Sequence, residues 1–320
     1  MKNKPIIIIA GEPYGVFLEI FFKTIKNNNF NKPIILIVSE KFFMQQMKIF
    51  KYNFKINLLN NQEFTNQDLD IKKINIINVA FKFKKVFDKI SDNSNSYIEQ
   101  SFKIALNILK KKKCSGLING PISKKHFLKK NFFGITEYLG HKTKKKNISM
   151  LIYNKKLSVC PITTHLPLKD IHKYLSKNKI IDQIKLITLF YKKHFKINPK
   201  IGITGLNPHC ESNYDASEED RIIKPAIRYL LKRGYKVKGP FSADTIFMRE
   251  NLNKYDVIVG MFHDQVLTPA KALYGFNAIN ITLGLPFIRI SPDHGPNAAM
   301  LGKNLSSPKS LIQAIRFLDN

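Results

Sequence analysis

Short aliphatic runs recur along this chain, and each stops at polar, turn-forming residues. Ile6–Ile9 breaks off at Gly11-Glu12-Pro13-Tyr14-Gly15, and Pro33–Val38 stops at Ser39. Leu117–Asn119 meets Gly120-Pro121, Lys200–Thr204 meets Gly205-Leu206-Asn207-Pro208-His209, and Asp256–Met261 meets Phe262-His263-Asp264-Gln265. Runs this short, rich in isoleucine and valine and bounded by Gly, Pro and Asn, read as buried strands. Ile71–Val79 and Ala278–Leu283 read the same way. Between them lie helical patterns at Glu19–Lys26, Ser94–Lys113, Glu218–Arg233 and Leu311–Leu318. Ser39 is placed to cap a helix, and the acidic start of Glu218–Arg233 suits a helix N-terminus. Lys142–Asn147 reads as a solvated loop. Strands and helices in alternation predict an α/β fold with a mainly parallel sheet.

Length narrows this further. A chain of 320 residues is too long for one minimal domain, so one large domain or two lobes is expected. The three cysteines, Cys114, Cys160 and Cys210, are far apart and form no C-x-x-C pair, which fits a reducing compartment. The start, MKNKPIIIIA, is too short in its apolar part for a signal peptide, and no run reaches the roughly 18 residues of a membrane span. A cytoplasmic protein without a membrane partner is expected.

The formal net charge of +30 raises a different function class, a basic nucleic-acid-binding protein. The excess is lysine, scattered among asparagine and isoleucine. Arginine, the residue suited to bidentate phosphate and base recognition, occurs only at Arg221, Arg228, Arg233, Arg249, Arg289 and Arg316. The pattern reads as compositional drift with weak, salt-sensitive attraction to polyanions, and no specific nucleic-acid partner is expected.

Three histidines follow three of the strand runs: His165 in Thr163-Thr164-His165-Leu166-Pro167, His209 in GLNPH and His263 in FHDQ. Ligands of open α/β sheets bind outside the carboxyl ends of strands. Three imidazoles converging there suit a divalent metal and leave coordination positions for a substrate. Each histidine could equally cap or pack in its own loop, and gaps of 44 and 54 residues do not decide between the two. Lys271, Asn280 and Arg289 suit an anionic ligand, or surface ion pairs. Asp244, in Gly239–Thr245, could orient a ligand histidine or a bound water. Neither a G-x-G-x-x-G nor a G-x-x-x-x-G-K-[ST] pattern follows any strand, so a Rossmann dinucleotide site and a P-loop are disfavoured.

Ordered motifs then carry a resemblance. GEPYG with Glu19, NGPISK (Asn119–Lys124), TTHLPLKDI (Thr163–Ile171), GLNPH, GPFSADT, HDQVLTPAK (His263–Lys271) and NITLGLPFIRISPDHG (Asn280–Gly295) resemble the 4-hydroxythreonine-4-phosphate dehydrogenase family across nearly the whole chain. The resemblance implies a single catalytic unit over residues 1–320, with a two-lobed α/β/α fold like the isocitrate and isopropylmalate dehydrogenases and the cleft between the lobes. It implies a homodimer with its site at the interface, and NAD or NADP as cofactor. His165, His209 and His263 would hold a divalent metal (Zn, Mg, Mn or Co). Thr136, Lys271, Asn280 and Arg289 would bind substrate, and Lys271, Asp244 and Asp264 are candidates for the general base. The cofactor-binding residues are not identified.

The chain departs from that family in places. The family pattern G-H-T-E is Gly134-Ile135-Thr136-Glu137 here, so a substrate-binding histidine is replaced by Ile135, which offers neither charge nor hydrogen bond. Val16-Phe17-Leu18 replaces Ile-Gly-Pro, and Cys210-Glu211-Ser212-Asn213 replaces a glycine-rich run. Ile135 keeps open a related substrate, a threonate or erythronate 4-phosphate.

Overall fold

The computed structural model describes residues 4–60, 63–111, 114–129, 131–132, 134–210, 217–275, 277–292 and 294–320. Along the chain the elements run β1 (Ile6–Ile9), α1 (Phe17–Lys26), β2 (Ile34–Val38), α2 (Glu40–Ile49), β3 (Ile56–Leu58), β4 (Ile74–Asn78), α3 (Asn95–Lys110), β5 (Gly116–Asn119) and α4 (Ile135–Lys142). They continue as β6 (Ser149–Tyr153), β7 (Ser158–Thr163), α5 (Ile171–Tyr174), α6 (Lys177–Phe195), β8 (Ile201–Thr204), α7 (Lys224–Leu231), β9 (Val237–Phe241), α8 (Ala243–Ile246) and α9 (Arg249–Leu252). The last are β10 (Val257–Phe262), α10 (His263–Tyr274), β11 (Ile279–Leu283), β12 (Arg289–Pro292) and α11 (Lys309–Asp319).

Two compact units result: Met1–Tyr138 with Pro286–Asn320, and Leu139–Leu285. In the first, the strand order is β3-β4-β2-β1-β5-β12, and every neighbouring pair is parallel. Ile6 to Ile9 are each fully buried, as a strand covered on both faces requires. Phe17, Ile20, Phe21 and Phe22 of α1 pack into the same core, each worth roughly 1.5–3 kcal/mol of transfer free energy. Ser39 caps α2 as expected, its hydroxyl accepting the Phe42 N–H at 3.5 Å.

The second unit orders its strands β11-β6-β7-β10-β8-β9. β11 and β7 run antiparallel to β6, while β7, β10, β8 and β9 are mutually parallel. Val159, Ile203, Val257, Ile258 and Val259 are fully buried in this sheet.

Most boundaries shift only slightly from the sequence reading. The Glu218–Arg233 helix differs in kind: Glu219–Ile223 forms a wide π turn and α7 starts at Lys224. Pro225 sits in the first turn of α7 and has no N–H to bond back one turn, so the regular ladder is interrupted there. The end of the predicted Ser94–Lys113 helix, from 112, and the 211–213 departure lie outside the described residues. No helix among the described residues is long and apolar enough to cross a membrane.

Candidate active site

β10 lies between β7 and β8 and pairs in parallel with both, so the three strands end on the same edge of the second unit. His165, His209 and His263 follow those three ends. The hydroxyl of Thr163 donates to the Met261 carbonyl at 2.7 Å, tying the last turn of β7 to β10. Two residues later His165 takes a left-handed backbone (φ 56°). His209 and Cys210 do the same (φ 57° and 58°), within a short turn at Pro208–Cys210. Left-handed backbone is uncommon outside glycine, and such strain concentrates at functional sites.

Two side chains that the sequence reading did not single out hold these loops. Glu219 is fully buried and receives the N–H groups of Leu206 and Asn207 at 2.7 and 2.9 Å and the Asn207 amide at 2.8 Å. Burial raises the pKa of this carboxyl, but the hydrogen bonds from Asn207 and Leu206 outweigh it and the net shift is downward. Gln265 joins the ends of β8 and β10. Its Oε1 accepts from Thr204 Oγ1 at 2.8 Å and from the Met261 N–H at 2.7 Å, and its Nε2 donates to the Gly205 carbonyl at 2.8 Å. An acidic residue ten positions after His209 and a glutamine two after His263 were the available signals, but nothing local marks them as loop anchors.

His263 opens α10 rather than lying in a loop. Its Nδ1 is 2.6 Å from Asp264 Oδ1, which leaves Nε2 as the outward nitrogen. The carboxylate on the His263 ring is thus that of Asp264, the next residue along. The His165 and His263 rings lie 5.9 Å apart between centroids, tilted by 35°. Neutral imidazole nitrogen is a donor type that borderline divalent cations accept. Among the described residues no group of three His, Cys, Asp or Glu that could hold a metal ion is gathered.

Asp244 and Asp264 line one cleft of about 470 Å³, together with Ala243, Phe262, Gln265 and Thr268. Both carboxylates are exposed. Lys271 lies seven residues after Asp264 in α10, two turns along on the same helical face, and is exposed. Asn280 in β11 directs Nδ2 at Met150 Sδ (3.3 Å), and its Oδ1 is buried without a hydrogen-bond partner among the described residues.

The remaining predicted residues belong to the first unit. Thr136 is half-buried in the first turn of α4, next to the half-buried Ile135. Arg289, at the start of β12, is fully buried, and its Nε donates to Asn119 Oδ1 at 2.7 Å. Burial pushes its guanidinium down to about 9, against the opposing pull of the Glu137 carboxylate. Glu12 was passed over in the sequence although its motif was noted. It is 2% exposed and accepts from Ser94 Oγ at 3.1 Å and the Tyr14 N–H at 3.4 Å. Burial raises its carboxyl above the ordinary range.

The family model described as pyridoxal phosphate biosynthetic protein PdxA matches residues 29–318. A 4-hydroxythreonine-4-phosphate dehydrogenase of Sulfurihydrogenibium sp. (strain YO3AOP1) is 37% identical, over 96% of this chain and 95% of that protein. A protein of Oceanobacillus iheyensis named "Putative D-threonate 4-phosphate dehydrogenase" is 30% identical, over 98% and 97%. The crystal structure of 4-hydroxythreonine-4-phosphate dehydrogenase from Klebsiella pneumoniae superposes with a TM-score of 0.85 at 25% identity, covering 99% of this chain and 98% of that one.

Proposed function

Because the chain belongs to the pyridoxal phosphate biosynthetic protein PdxA family, we propose that it oxidises 4-hydroxy-L-threonine 4-phosphate at C3 with NAD or NADP. The product, 2-amino-3-oxo-4-(phosphooxy)butanoate, then loses CO2 to give 3-amino-2-oxopropyl phosphate, a precursor of pyridoxal 5'-phosphate. The observation that carries this reading is the set of histidines after the three adjacent parallel strands β7, β10 and β8. The same reading makes the protein a cytoplasmic homodimer with its site at the subunit interface.

In this reading His165, His209 and His263 hold a divalent metal, with Zn, Mg, Mn and Co as candidates. When bound, the metal acts as a Lewis acid that favours loss of the alcohol proton and steadies developing negative charge, and the nicotinamide accepts the hydride. The chain's own groups do the rest. Asp264 fixes the tautomer of His263 by holding Nδ1. Asp244 and Asp264 face one cleft, and either can take a proton there, as can Lys271. Thr136, Lys271, Asn280 and Arg289 bind the substrate, the cations neutralising its phosphate and carboxylate. Once CO2 leaves, the same cations oppose the charge of the enolate.

Ile135 supports a second reading. With an apolar side chain where the family has histidine, D-threonate 4-phosphate or a related phosphorylated hydroxy acid becomes a candidate, in line with the Oceanobacillus relative's name. The deciding experiment is an NAD(P)H absorbance assay of the purified protein against both phosphates. The expected result is turnover of 4-hydroxythreonine phosphate that a chelator abolishes and added metal restores. Turnover of the threonate phosphate alone overturns the first reading, and full activity in chelator overturns the metal.

A further inference from the structure

We infer that Gln265 is a positioning residue whose amide fixes the His209 turn to the start of α10, so that His209 and His263 keep their places relative to each other. This rests on the reading that both histidines serve one metal centre.

Gln265 is the third residue of α10, two after His263. The residue before the helix, Phe262, caps it with no side-chain hydrogen bond. Gln265 Oε1 does local work there by accepting the N–H of Met261 at 2.7 Å, much as a glutamate or glutamine at this position serves a capping box. The rest of the amide reaches another strand. Oε1 also accepts from Oγ1 of Thr204, the last residue of β8, at 2.8 Å, and Nε2 donates to the Gly205 carbonyl at 2.8 Å. A main-chain N–H only donates and a carbonyl only accepts, so Met261 and Gly205 together fix which way the amide points.

Gly205 is the joint through which this reaches His209. It is buried, and its own N–H is committed to the Phe241 carbonyl of β9 at 2.9 Å. A Cβ on Gly205 would lie 2.7 Å from Cys210 Sγ and 2.9 Å from Glu219 Oε1, so the turn that carries His209 and Cys210 folds back directly onto it. The α10 side is as close. A Cβ on Gly260 would lie 2.4 Å from Val266 Cγ1 and 3.0 Å from Gln265 Oε1. Glycine at both places lets the first turn of α10 close on β10 and the His209 turn close on the end of β8. One amide then spans the two.

Only an amide serves both ends. A carboxylate at 265 would accept from Met261 and Thr204 as well, and an acidic residue in the first turn suits a helix N-terminus. It has no N–H for the Gly205 carbonyl and turns a negative oxygen toward it instead. A buried carbonyl stripped of its donor is destabilised, and the relief open to it is movement of the His209 turn away from α10.

The test follows Cys210, the half-buried neighbour of His209 whose sulfur packs on Gly205. An aromatic disulfide reagent is added to the full chain of wild type, Gln265→Glu and Gln265→Met with chelator present, and modification at Cys210 is timed by mass spectrometry of its peptide. Both variants are expected to react about tenfold faster or more. The carboxylate of Gln265→Glu holds a nearby thiol in its unreactive protonated form, so a gain in rate there reports opening of the turn. A residue that only caps α10 would leave Gln265→Glu at the wild-type rate, and that result overturns the inference, as do unchanged rates in both variants. If Gln265→Met does not fold, Gln265→Glu decides alone. Zn2+ affinity, measured by competition with a chromophoric chelator, separates the two levels. Gln265→Met is expected to lose about tenfold or more, the range usual for residues that orient metal ligands. Wild-type Zn2+ affinity in a Gln265→Met whose Cys210 reacts fast overturns the positioning of the histidines. No Zn2+ binding by the wild type overturns the reading of a shared metal centre, while the Cys210 rates still decide whether Gln265 holds the turn.

Discussion

The two units treat their charged groups in opposite ways. In the first, Glu12 and Arg289 are 2% and 0% exposed and are hydrogen-bonded to Ser94 and Asn119. In the second, His165, His209, Asp244, Asp264 and Lys271 are exposed, and the distortion sits in the backbone beneath two of the histidines. A buried charge is oriented before any ligand arrives, at the cost of desolvation. Exposed imidazoles keep their hydration and can exchange it for an ion. The exposed set suits a site that is loaded, and the buried pair suits one that recognises.

The largest test of that contrast removes a histidine. Altering residues that merely orient metal ligands typically costs 10–100-fold in affinity, so His209→Ala should lose at least about 100-fold. The variant should keep a wild-type melting temperature while its metal content after dialysis falls with its activity. Full metal occupancy in His209→Ala would falsify its role as a ligand.

A middle-sized effect is expected beneath His209. Glu219→Gln leaves buried N–H groups poorly matched and should cost about 1–3 kcal/mol in urea unfolding. The sign with pH follows from its lowered folded pKa: its stabilisation is present above the unfolded value of about 4.3 and is lost as pH falls through the folded one. Wild-type stability should therefore drop below about pH 4.3 more steeply than that of Glu219→Gln. Parallel curves would show that this carboxylate does not anchor the loop as an anion.

Glu12 should give the smallest effect, and of the other sign. Its folded pKa is raised, so the folded state holds the proton more tightly and stability declines as pH rises from the unfolded value through the folded one. Glu12→Gln should remove that decline and change stability at neutral pH by less than about 1 kcal/mol. A melting-temperature series between pH 4 and 8 reads it, and an undiminished slope in the variant assigns the decline to another group.

Much of this could be read along the chain. The apolar runs became strands, Ser39 became a cap, and Lys271, Asn280 and Arg289 were picked out by type. Pro225 is one reason the Glu218–Arg233 pattern did not become one helix, and it was visible as a missing donor in the first turn. Glu219, Gln265 and Asn119 were not legible as anchors, because a polar side chain shows its partner only once distant backbone is brought against it. Glu219 reaches back twelve positions to Asn207, Gln265 sixty to Gly205, and Arg289 reaches 170 to Asn119.

Hydrophobic pattern and turn chemistry are local, so residue order alone determined the α/β class, the strand ends and the residue types gathered there. It left open whether histidines 44 and 54 residues apart would ever meet. Tertiary structure placed β10 between β7 and β8 in parallel, so that all three run out at one edge and His165 faces His263. It also decided that Arg289 is a buried cation rather than a surface one. The reason is that closing a long loop costs little more than closing a short one. Sequence distance therefore says little about which strands become neighbours, while the packing of whole sheets decides it.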